Sequence, residues 1–536
     1  MTETHSFKRR DFVKGLGVAA LGAAAMGVAG CAPQGKGAGD EGSSAPASVN
    51  LANTGDIEWG RETDVLVVGS GVAGYAAAVS ATDNGAEALV CEQYNGAGGA
   101  SGGCQIFYSW GSTALDLPQK FEGITDDADQ MYEAVMACGS NLADPELTRA
   151  LVDNCADTID FLVENGCEFE PELKPVEGRE GQGAYKTAQA GGAPFALKEV
   201  FEGRGGETLL ETKMTDFIVD GDSGRVVGAW FEDKKGNPLA IKARRAVVMC
   251  TGLWLHDTDM ILKEWPTIDQ DLLEANTESG SKGIPFGPFM GDHIKAGQRI
   301  GANMRHMSYM NSEPYHSTMD LQELVIATEG LTREPDEFHV NLNGVRFYDE
   351  SKTRGQMAED IYAQPESTYL VIYDGKWIPG KMLPFATEDD MNNWAEQGYM
   401  VKADTFEELA AGMARVWGMD EQVALNTILT YNSYCEAGED PEFGKPKNFL
   451  TPLDTPPYWV SPKQTAHVQM TLGGYDADVD GHVRHVNGEN IPGLYAAGLC
   501  TGGHFGKDAI MGTYQMTAAT FGRLAGIAAA AEEAWA

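Results

Sequence analysis

The chain is poor in basic residues. In 536 residues, 39 lysines and arginines stand against 79 aspartates and glutamates, which gives a formal net charge of −40. Such a surface repels a phosphate backbone, so nucleic acid is excluded as a partner. Hydrophobic residues make up 43% and charged residues 22%. These ordinary globular proportions exclude a disordered or fibrous chain, and the length predicts two or three domains.

Cysteine-based cofactor motifs are also missing. The nine cysteines include no C-x-x-C pair and no C-x-x-C-H haem-attachment motif. Their spacing excludes a zinc ribbon, covalent haem and an evident iron–sulfur frame, and it predicts no metal site. A separate FMN-carrying domain is not evident either. Electrons for any redox reaction are therefore expected from another protein or a quinol-linked carrier.

The N-terminal region has the pattern of an export signal. Residues 8–14 (KRRDFVK) precede an apolar, Ala/Gly-rich run over residues 15–30 that is too short to span a bilayer well. The paired arginines resemble a twin-arginine signal, and residues 28–31 (VAGC) resemble a lipobox. Residues 1–31 thus predict export to the periplasm or the outer face of the cytoplasmic membrane. A lipid on Cys31 would be the one expected membrane contact, and whether Cys31 carries it stays open. Residues 32–61 predict a flexible linker.

The folded body begins with the pattern of a βαβ unit. Residues 64–68 (DVLVV) predict a buried strand, and residues 69–74 (GSGVAG) predict a glycine-rich turn into an alanine-rich helix. Residues 88–92 (ALVCE) predict a second strand that ends in an acid. This order of strand, G-x-G-x-x-G turn, helix and acidic strand end predicts dinucleotide binding.

Four residues of this unit have a physical role in dinucleotide binding. Gly69 permits the tight turn after the strand, and Gly71 lets a pyrophosphate approach the backbone at the helix N-terminus. Gly74 lets the helix pack closely on the sheet, and Glu92 is placed to accept hydrogen bonds from the ribose of the adenosine.

Three more glycine-containing elements follow, at residues 97–103 (AGGASGG), 246–252 (AVVMCTG) and 493–498 (GLYAAG). Together with the βαβ unit they resemble the flavoprotein family of fumarate reductases and succinate dehydrogenases, and they are similar also to 3-ketosteroid dehydrogenases. The resemblance runs from residue 62 to the end and implies FAD as cofactor. The cofactor-binding residues that it implies are Gly69, Gly71, Val72, Ala73, Gly74, Glu92, Gln93, Gly98, Gly99, Ala100, Ser101, Gly102, Gly103, Thr251, Gly252, Gly474, Ala497, Gly498 and Gly512.

The same resemblance implies an α/β fold with two parts. A discontinuous Rossmann-like FAD-binding domain is expected over residues 62–304 and 463–536. An inserted α+β capping domain is expected over residues 305–462.

The resemblance also implies catalytic residues in two segments, residues 328–333 (TEGLTR) and 340–354 (VNLNGVRFYDESKTR). By the resemblance, Arg354 falls on the family's proton donor, Arg333 on its relay arginine, and Glu329 on its relay glutamate with one extra residue in between. Reduction of a C=C bond needs a hydride from flavin N5 at one carbon and a proton at its neighbour. Arginine is a weak acid, so Glu329 and Arg333 are expected to return the proton that Arg354 gives up.

The positions that hold two substrate carboxylates in fumarate reductases differ here. Met470 and Glu313 stand where the family has histidines, and Ala509 stands where it has an arginine. Loss of these partners leaves a buried carboxylate unpaired, so fumarate and succinate are not expected as substrates. Aromatic and amphipathic residues predict a larger enoate or enone instead. The predicted substrate-binding residues are Tyr309, Glu313, Met470, His504, Phe505, Lys507 and Tyr514.

Three functions remain open on these grounds. Arg354 favours an exported FAD-dependent reductase that saturates an activated C=C bond of a small organic acceptor, as in anaerobic respiration. The alternative is a 3-ketosteroid-type dehydrogenase that forms a C=C bond. That branch's tyrosine falls on Asp508, so Tyr514 or Tyr309 would have to replace it. The third is a non-catalytic flavin electron-transfer protein, which predicts a closed site without a proton donor.

Overall fold

The computed structural model describes residues 51–52, 54–115, 127–171, 173–176, 179–188, 192–266, 288–317, 337–376 and 387–535. The strands in these ranges are β1 (Leu51–Ala52), β2 (Trp59–Val68), β3 (Ala88–Cys91), β4 (Ile106–Tyr108), β5 (Lys174–Val176), β6 (Arg179–Lys186), β7 (Glu207–Leu209), β8 (Thr212–Asp220), β9 (Val226–Asp233), β10 (Pro238–Met249), β11 (Met304–Arg305), β12 (Met310–Ser317), β13 (Phe338–Asn341), β14 (Thr368–Tyr373), β15 (Val401–Ala403), β16 (Tyr458–Val460), β17 (Gln464–Thr471), β18 (Gly474–Tyr475), β19 (His482–Arg484) and β20 (Asn490–Ala496).

The helices in the same ranges are α1 (Val72–Asp83), α2 (Ala128–Cys138), α3 (Pro145–Glu164), α4 (Gly192–Gly203), α5 (Thr258–Glu264), α6 (Asp292–Arg299), α7 (Arg354–Tyr362), α8 (Glu388–Glu396), α9 (Phe406–Trp417), α10 (Glu421–Ala437) and α11 (Thr513–Ala531). The predicted mixed α/β fold is confirmed. Among these helices, none has the length and apolar character needed to cross a bilayer.

The larger sheet takes strands from both ends of the described chain. Its order is β1-β8-β9-β10-β2-β3-β7, and β20 pairs with β10 while β19 pairs with β20. Strand β2 pairs in parallel with β10 on one side and with β3 on the other, and β10 also pairs in parallel with β20. The side chains of Val65, Leu66 and Val67 on β2 are fully buried, as expected for a parallel strand covered on both faces.

The predicted βαβ unit is confirmed as β2, α1 and β3. The C-terminal helix α11 packs on α1 at very short range. A Cβ atom on Gly522 would lie 2.3 Å from the carbonyl oxygen of Ala73, and one on Gly526 would lie 2.2 Å from that of Ala77. Glycine at these two positions is therefore required for the two helix backbones to meet.

A second sheet, called here the cap sheet, has the order β12-β17-β14-β16-β15, with β13 paired to β14. Helices α7 to α10 lie between its strands in sequence. The predicted end of the capping domain at residue 462 stays a prediction, and strand β17 beyond it pairs with β12 and β14. A strand hydrogen-bonded on both sides belongs to its sheet, so the cap sheet ends at Thr471.

Candidate functional site

The glycine-rich elements meet in one cavity, called here the cofactor cavity. It lies where β2, β3, β10 and β20 end, at the carboxyl edge of the larger sheet, which is where ligands bind in open α/β sheets. The predicted cofactor residues that line it are Gly69, Gly71, Val72, Ala73, Glu92, Gln93, Gly99, Ala100, Ser101, Thr251, Gly252 and Ala497. Residues separated by more than 400 positions in sequence are thus brought to one wall.

The local geometry of this cavity fits a dinucleotide. Gly69 has a φ of +106°, and a Cβ atom there would lie 2.3 Å from the carbonyl oxygen of Cys250. Gly71 precedes α1 without a side-chain cap, which leaves N–H groups at the helix N-terminus for an anion. The buried Glu92 carboxylate accepts hydrogen bonds from the Ser70 N–H at 3.1 Å and the Ser70 hydroxyl at 2.6 Å. The residues present therefore fit FAD.

Other predicted cofactor residues permit the close packing of the loops that form the cavity. A Cβ atom on Gly74 would lie 1.9 Å from the carbonyl oxygen of Gly69, and one on Gly474 would lie 2.0 Å from that of Cys500. The Gly98 N–H donates to Ser70, the Gly102 N–H donates to Gly98, and a Cβ atom on Gly498 would lie 2.9 Å from that of Ala73. These glycines permit close packing of the loops that form the cavity.

Several lining residues carry no sequence signal. The cofactor cavity is completed by one residue after β3, by residues of β8, and by residues just before and at the start of α6, none of which belongs to a dinucleotide motif. Their positions follow from the sheet order, which places β8 two strands from β10. These residues are Tyr94, Thr212, Lys213, Met214, Phe289, Met290, Asp292 and His293.

A second cavity of about 650 Å³, called here the acceptor cavity, adjoins the first. The two share Ala100, Ser101, Leu499 and Ala518 as walls. Its volume is in the range of small-molecule sites. Besides Ala100 and Ser101, the predicted residues that line it are Gly103, Gly512, Met470 and Tyr514. Polar lining residues that were not predicted include Gln105, Asn311, Gln356, Gln469, Asp508 and Gln515.

The start of α7 borders the acceptor cavity. Arg354 is the first residue of this helix, and Thr353 is its N-cap in a capping box with Gln356. Lys352, Thr353 and Gln356 line the cavity. The backbone of Arg354 is thereby placed at the cavity edge. The other two predicted catalytic residues, Arg333 and Glu329, lie outside the described residues.

Two predicted substrate residues lie in the protein core. His504 is 4% exposed, and its Nε2 lies 2.9 Å from the hydroxyl oxygen of Thr501. Because that hydroxyl already donates to the Gly498 carbonyl, His504 is the donor of the pair. Phe505 is 1% exposed and meets the Tyr514 ring edge-on at 4.9 Å. Neither residue lines the acceptor cavity; Phe505 instead supports Tyr514, which does.

Lys507 and Tyr309 are also absent from the described lining of the acceptor cavity, and Glu313 is placed by its backbone alone. Lys507 is half-exposed, with its Nζ 3.7 Å from a Glu359 carboxylate oxygen. Tyr309 packs on the ring of His306 at 4.6 Å. Glu313 occupies β12 opposite His467 of β17. Of the seven predicted substrate residues, Met470 and Tyr514 thus line the acceptor cavity, and their role in binding stays a prediction.

The burial of His504 predicts an acid-sensitive stability. Burial lowers the pKa of His504 to about 3 from its ordinary 6.5. Between these two pH values the unfolded chain protonates His504, whereas the native chain keeps it neutral. The contribution of neutral His504 to stability is therefore fully present above pH 6.5 and is lost as pH falls from 6.5 towards 3. We expect the wild type to lose about 2 kcal/mol more than His504→Gln between pH 7 and pH 5.

Urea unfolding of both proteins at the two pH values measures this difference. Glutamine can donate to the same Thr501 oxygen, so it retains the hydrogen bond while it removes the titrating ring. Equal losses in the two proteins would show that His504 does not account for the acid sensitivity.

A buried charge cluster lies behind the acceptor cavity. The Arg346 guanidinium donates to Glu350 at 2.8 Å and to Asp440 at 3.0 Å, and Lys445 lies 3.3 Å from Glu350. Glu350, itself a cavity-lining residue, is 3% exposed. Burial alone would raise the pKa of Glu350, but the charges of Lys445 and Arg346 outweigh burial and lower the pKa to about 2. The cluster fixes the segment between β13 and α7 as a charged, hydrogen-bonded unit.

Comparison with known proteins identifies relatives over most of the chain. The model of the family described as FAD binding domain matches residues 64–510. The cytochrome-type fumarate reductase of Shewanella frigidimarina is 28% identical over 476 residues, covering 87% of this chain and 77% of the relative. The acrylate reductase flavoprotein subunit of Shewanella woodyi is 27% identical over 523 residues, covering 93% of each.

Among solved structures, 3-ketosteroid-Δ4-(5α)-dehydrogenase from Rhodococcus jostii, in complex with 4-androstene-3,17-dione, is similar over 90% of this chain and 99% of that one. The TM-score is 0.71 and the sequence identity 25%. The chain is thus similar over most of its length to proteins named fumarate reductase and acrylate reductase and to a steroid dehydrogenase.

Proposed function

Because the chain belongs to the FAD-dependent, fumarate reductase-like flavoprotein family, we propose that it saturates an activated C=C bond of an enoate or enone other than fumarate. The family is one of FAD-dependent oxidoreductases that act on C=C bonds. The observation that carries the proposal is the start of α7 at Arg354, beside a cavity that shares four wall residues with the cofactor cavity.

In this proposal the chain supplies the proton and the binding site. FAD, when bound and reduced, supplies a hydride from N5 to one alkene carbon and is restored by two electrons from a separate donor. Arg354 gives a proton to the neighbouring carbon, and Arg333 and Glu329 return a proton to Arg354. Apolar walls at Met357, Met470 and Ile510 exclude water, which strengthens the electrostatic contribution of Arg354 to proton transfer.

The lining of the acceptor cavity supports an acceptor with at most one carboxylate. Among lining residues whose side chains the structure describes, the cation is Lys352, and its Nζ already pairs with Asp360 at 2.8 Å. The other polar groups are mainly carboxamides and the carboxylates of Asp508 and Glu350. A dicarboxylate would leave charge unpaired there, whereas a carbonyl or a single carboxylate finds amide donors.

Anaerobic reoxidation of the reduced enzyme tests the proposal. The holoenzyme is reduced with one equivalent of dithionite and mixed with fumarate, acrylate, an aryl acrylate, urocanate or a steroid enone, while the FAD absorbance is followed. We expect rapid recovery with an enoate or enone and slow recovery with fumarate. Fumarate as the fastest acceptor, or no recovery with any alkene, would refute the proposal.

A second candidate is a dehydrogenase that forms a C=C bond in a 3-keto compound. Two observations favour it: the similarity to the Rhodococcus jostii steroid dehydrogenase and the Tyr514 side chain on the acceptor cavity. In the same assay, a saturated 3-ketosteroid would bleach the oxidised enzyme while no alkene reoxidises the reduced one.

The proposal extends to location and electron supply. Residues 1–31 are proposed to direct export by the twin-arginine route to the periplasm or the outer face of the cytoplasmic membrane, with or without a lipid on Cys31. A separate electron donor or quinol-linked carrier is proposed to reduce the FAD, and the net charge of −40 supports a basic donor surface. Cell fractionation checks the location; activity confined to the cytosol would refute it.

A further inference from the structure

Asp508 is a buried carboxylate on the wall of the acceptor cavity, with a relative exposure of 5%. Its Oδ1 accepts hydrogen bonds from the Asn311 side-chain amide and from the Ala509 N–H at 2.8 Å. Its Oδ2 accepts the Gly355 N–H at 3.1 Å. Asn311 lies on β12 of the cap sheet and Gly355 on α7. One carboxylate of the C-terminal segment therefore holds two elements of the opposite side of the cavity.

The contact with α7 depends on a missing side chain. A Cβ atom on Gly355 would lie 2.7 Å from Oδ2 of Asp508, closer than real Cβ contacts come. Gly355 is the second residue of α7, where free N–H groups and the helix dipole attract an anion. The sequence thus pairs a glycine and an aspartate that are 153 positions apart.

Asp508 is not needed to begin this helix. Thr353 already caps α7, and its side chain and that of Gln356 form a reciprocal capping box. Capping boxes satisfy the first backbone donors of a helix. The Asp508 contact therefore adds a fixed position for α7 relative to the C-terminal segment, beyond what helix initiation requires.

We infer that Asp508 is a positioning residue for proton transfer. It holds the backbone next to Arg354 against the segment that continues into Gly512 and α11, and Gly512, Tyr514 and Gln515 of that segment line the acceptor cavity. The distance between the proton donor and the opposite cavity wall is set by this one carboxylate. The inference rests on the proposed role of Arg354.

The substitution Asp508→Asn tests it with little change in volume. An amide nitrogen cannot accept a hydrogen bond, so at least one of the donors at Asn311, Ala509 and Gly355 loses its partner. We expect FAD content to stay at the wild-type level and kcat to fall about 100-fold, because small misplacements of catalytic groups have effects of this size. KM should change much less, and the solvent deuterium isotope effect on kcat should rise as proton transfer becomes slower.

Asp420→Asn is the matched control. Asp420 caps α10 through the Val423 N–H at 3.0 Å, and it does not line either cavity. Asparagine caps helices about as well as aspartate, so stability, kcat, KM and the isotope effect per holoenzyme should all remain unchanged. Equal kinetic behaviour of the Asp508 and Asp420 variants would overturn the inference.

Gly355→Ala separates position from stability if the Asp508 variant folds poorly. The Cβ atom of alanine displaces Asp508, but alanine favours helix over glycine, which offsets part of the cost in stability. We expect reduced kcat with a raised isotope effect in this variant, and unchanged kinetics would overturn the inference. A wild-type enzyme that turns over no alkene would instead refute the proposed function, and the inference with it.

Discussion

Replacement of Arg354 by Met should leave FAD bound while turnover falls about 10³-fold, within the usual contribution of a general acid. Methionine has nearly the length of the arginine stem but carries no exchangeable proton. The capping box at Thr353 and Gln356 keeps α7 in place without the guanidinium. FAD content is measured by absorbance, and the rate is measured as reoxidation of the reduced enzyme by the best acceptor.

Arg415→Met is the control for loss of an arginine. Arg415 is exposed in the last turn of α9, so its removal should change neither FAD content nor rate. If Arg354→Met retains more than a tenth of the wild-type rate while Arg415→Met retains all of it, another group donates the proton. Tyr514 would then be the first residue to substitute, because it lines the same cavity.

Replacement of Glu350 by Gln should destabilise the protein by about 3 to 5 kcal/mol, the usual cost of leaving a buried charge unpaired. Arg346 is 4% exposed and Lys445 is 2% exposed, so neither cation can turn to water. Glutamine keeps the shape and one acceptor oxygen but loses the charge that both cations share. Urea unfolding of the holoenzyme measures the change in the free energy of unfolding.

Glu442→Gln is the matched control for this cluster. Its carboxylate lies 4.0 Å from the same guanidinium, but 44% of its side chain is exposed. Exposed ion pairs contribute about 1 kcal/mol or less, so this variant should be nearly neutral. Similar losses in the two variants would show that burial is not what makes Glu350 important.

The dinucleotide-binding unit could be predicted from the sequence because its signals are local. Gly69 and Gly74 are required by backbone geometry within six residues, and Glu92 follows the next strand along the chain. The periodic apolar run gives the strand, and the turn follows at once.

The acceptor cavity could not be predicted in the same way. Asp508 meets Gly355 and Asn311 only after the cap sheet has brought β12 and α7 to the C-terminal segment. His504 illustrates the converse: it lies four residues before Asp508 in a segment that does face the cavity, yet its ring packs into the core against Phe521 at 4.5 Å. Neither fact follows from local periodicity or charge, because both depend on long-range packing.

The contact between Gly522 of α11 and Ala73 of α1 also has a consequence for folding. The nucleotide-binding unit that begins at Trp59 acquires its covering helix from residues more than 400 positions further along the chain. Strand β20, which ends at Ala496, joins β10 of the same sheet from a similar distance in sequence. Contacts between residues so far apart in sequence slow folding, so completion of the cofactor cavity depends on the slowest contacts of the larger sheet.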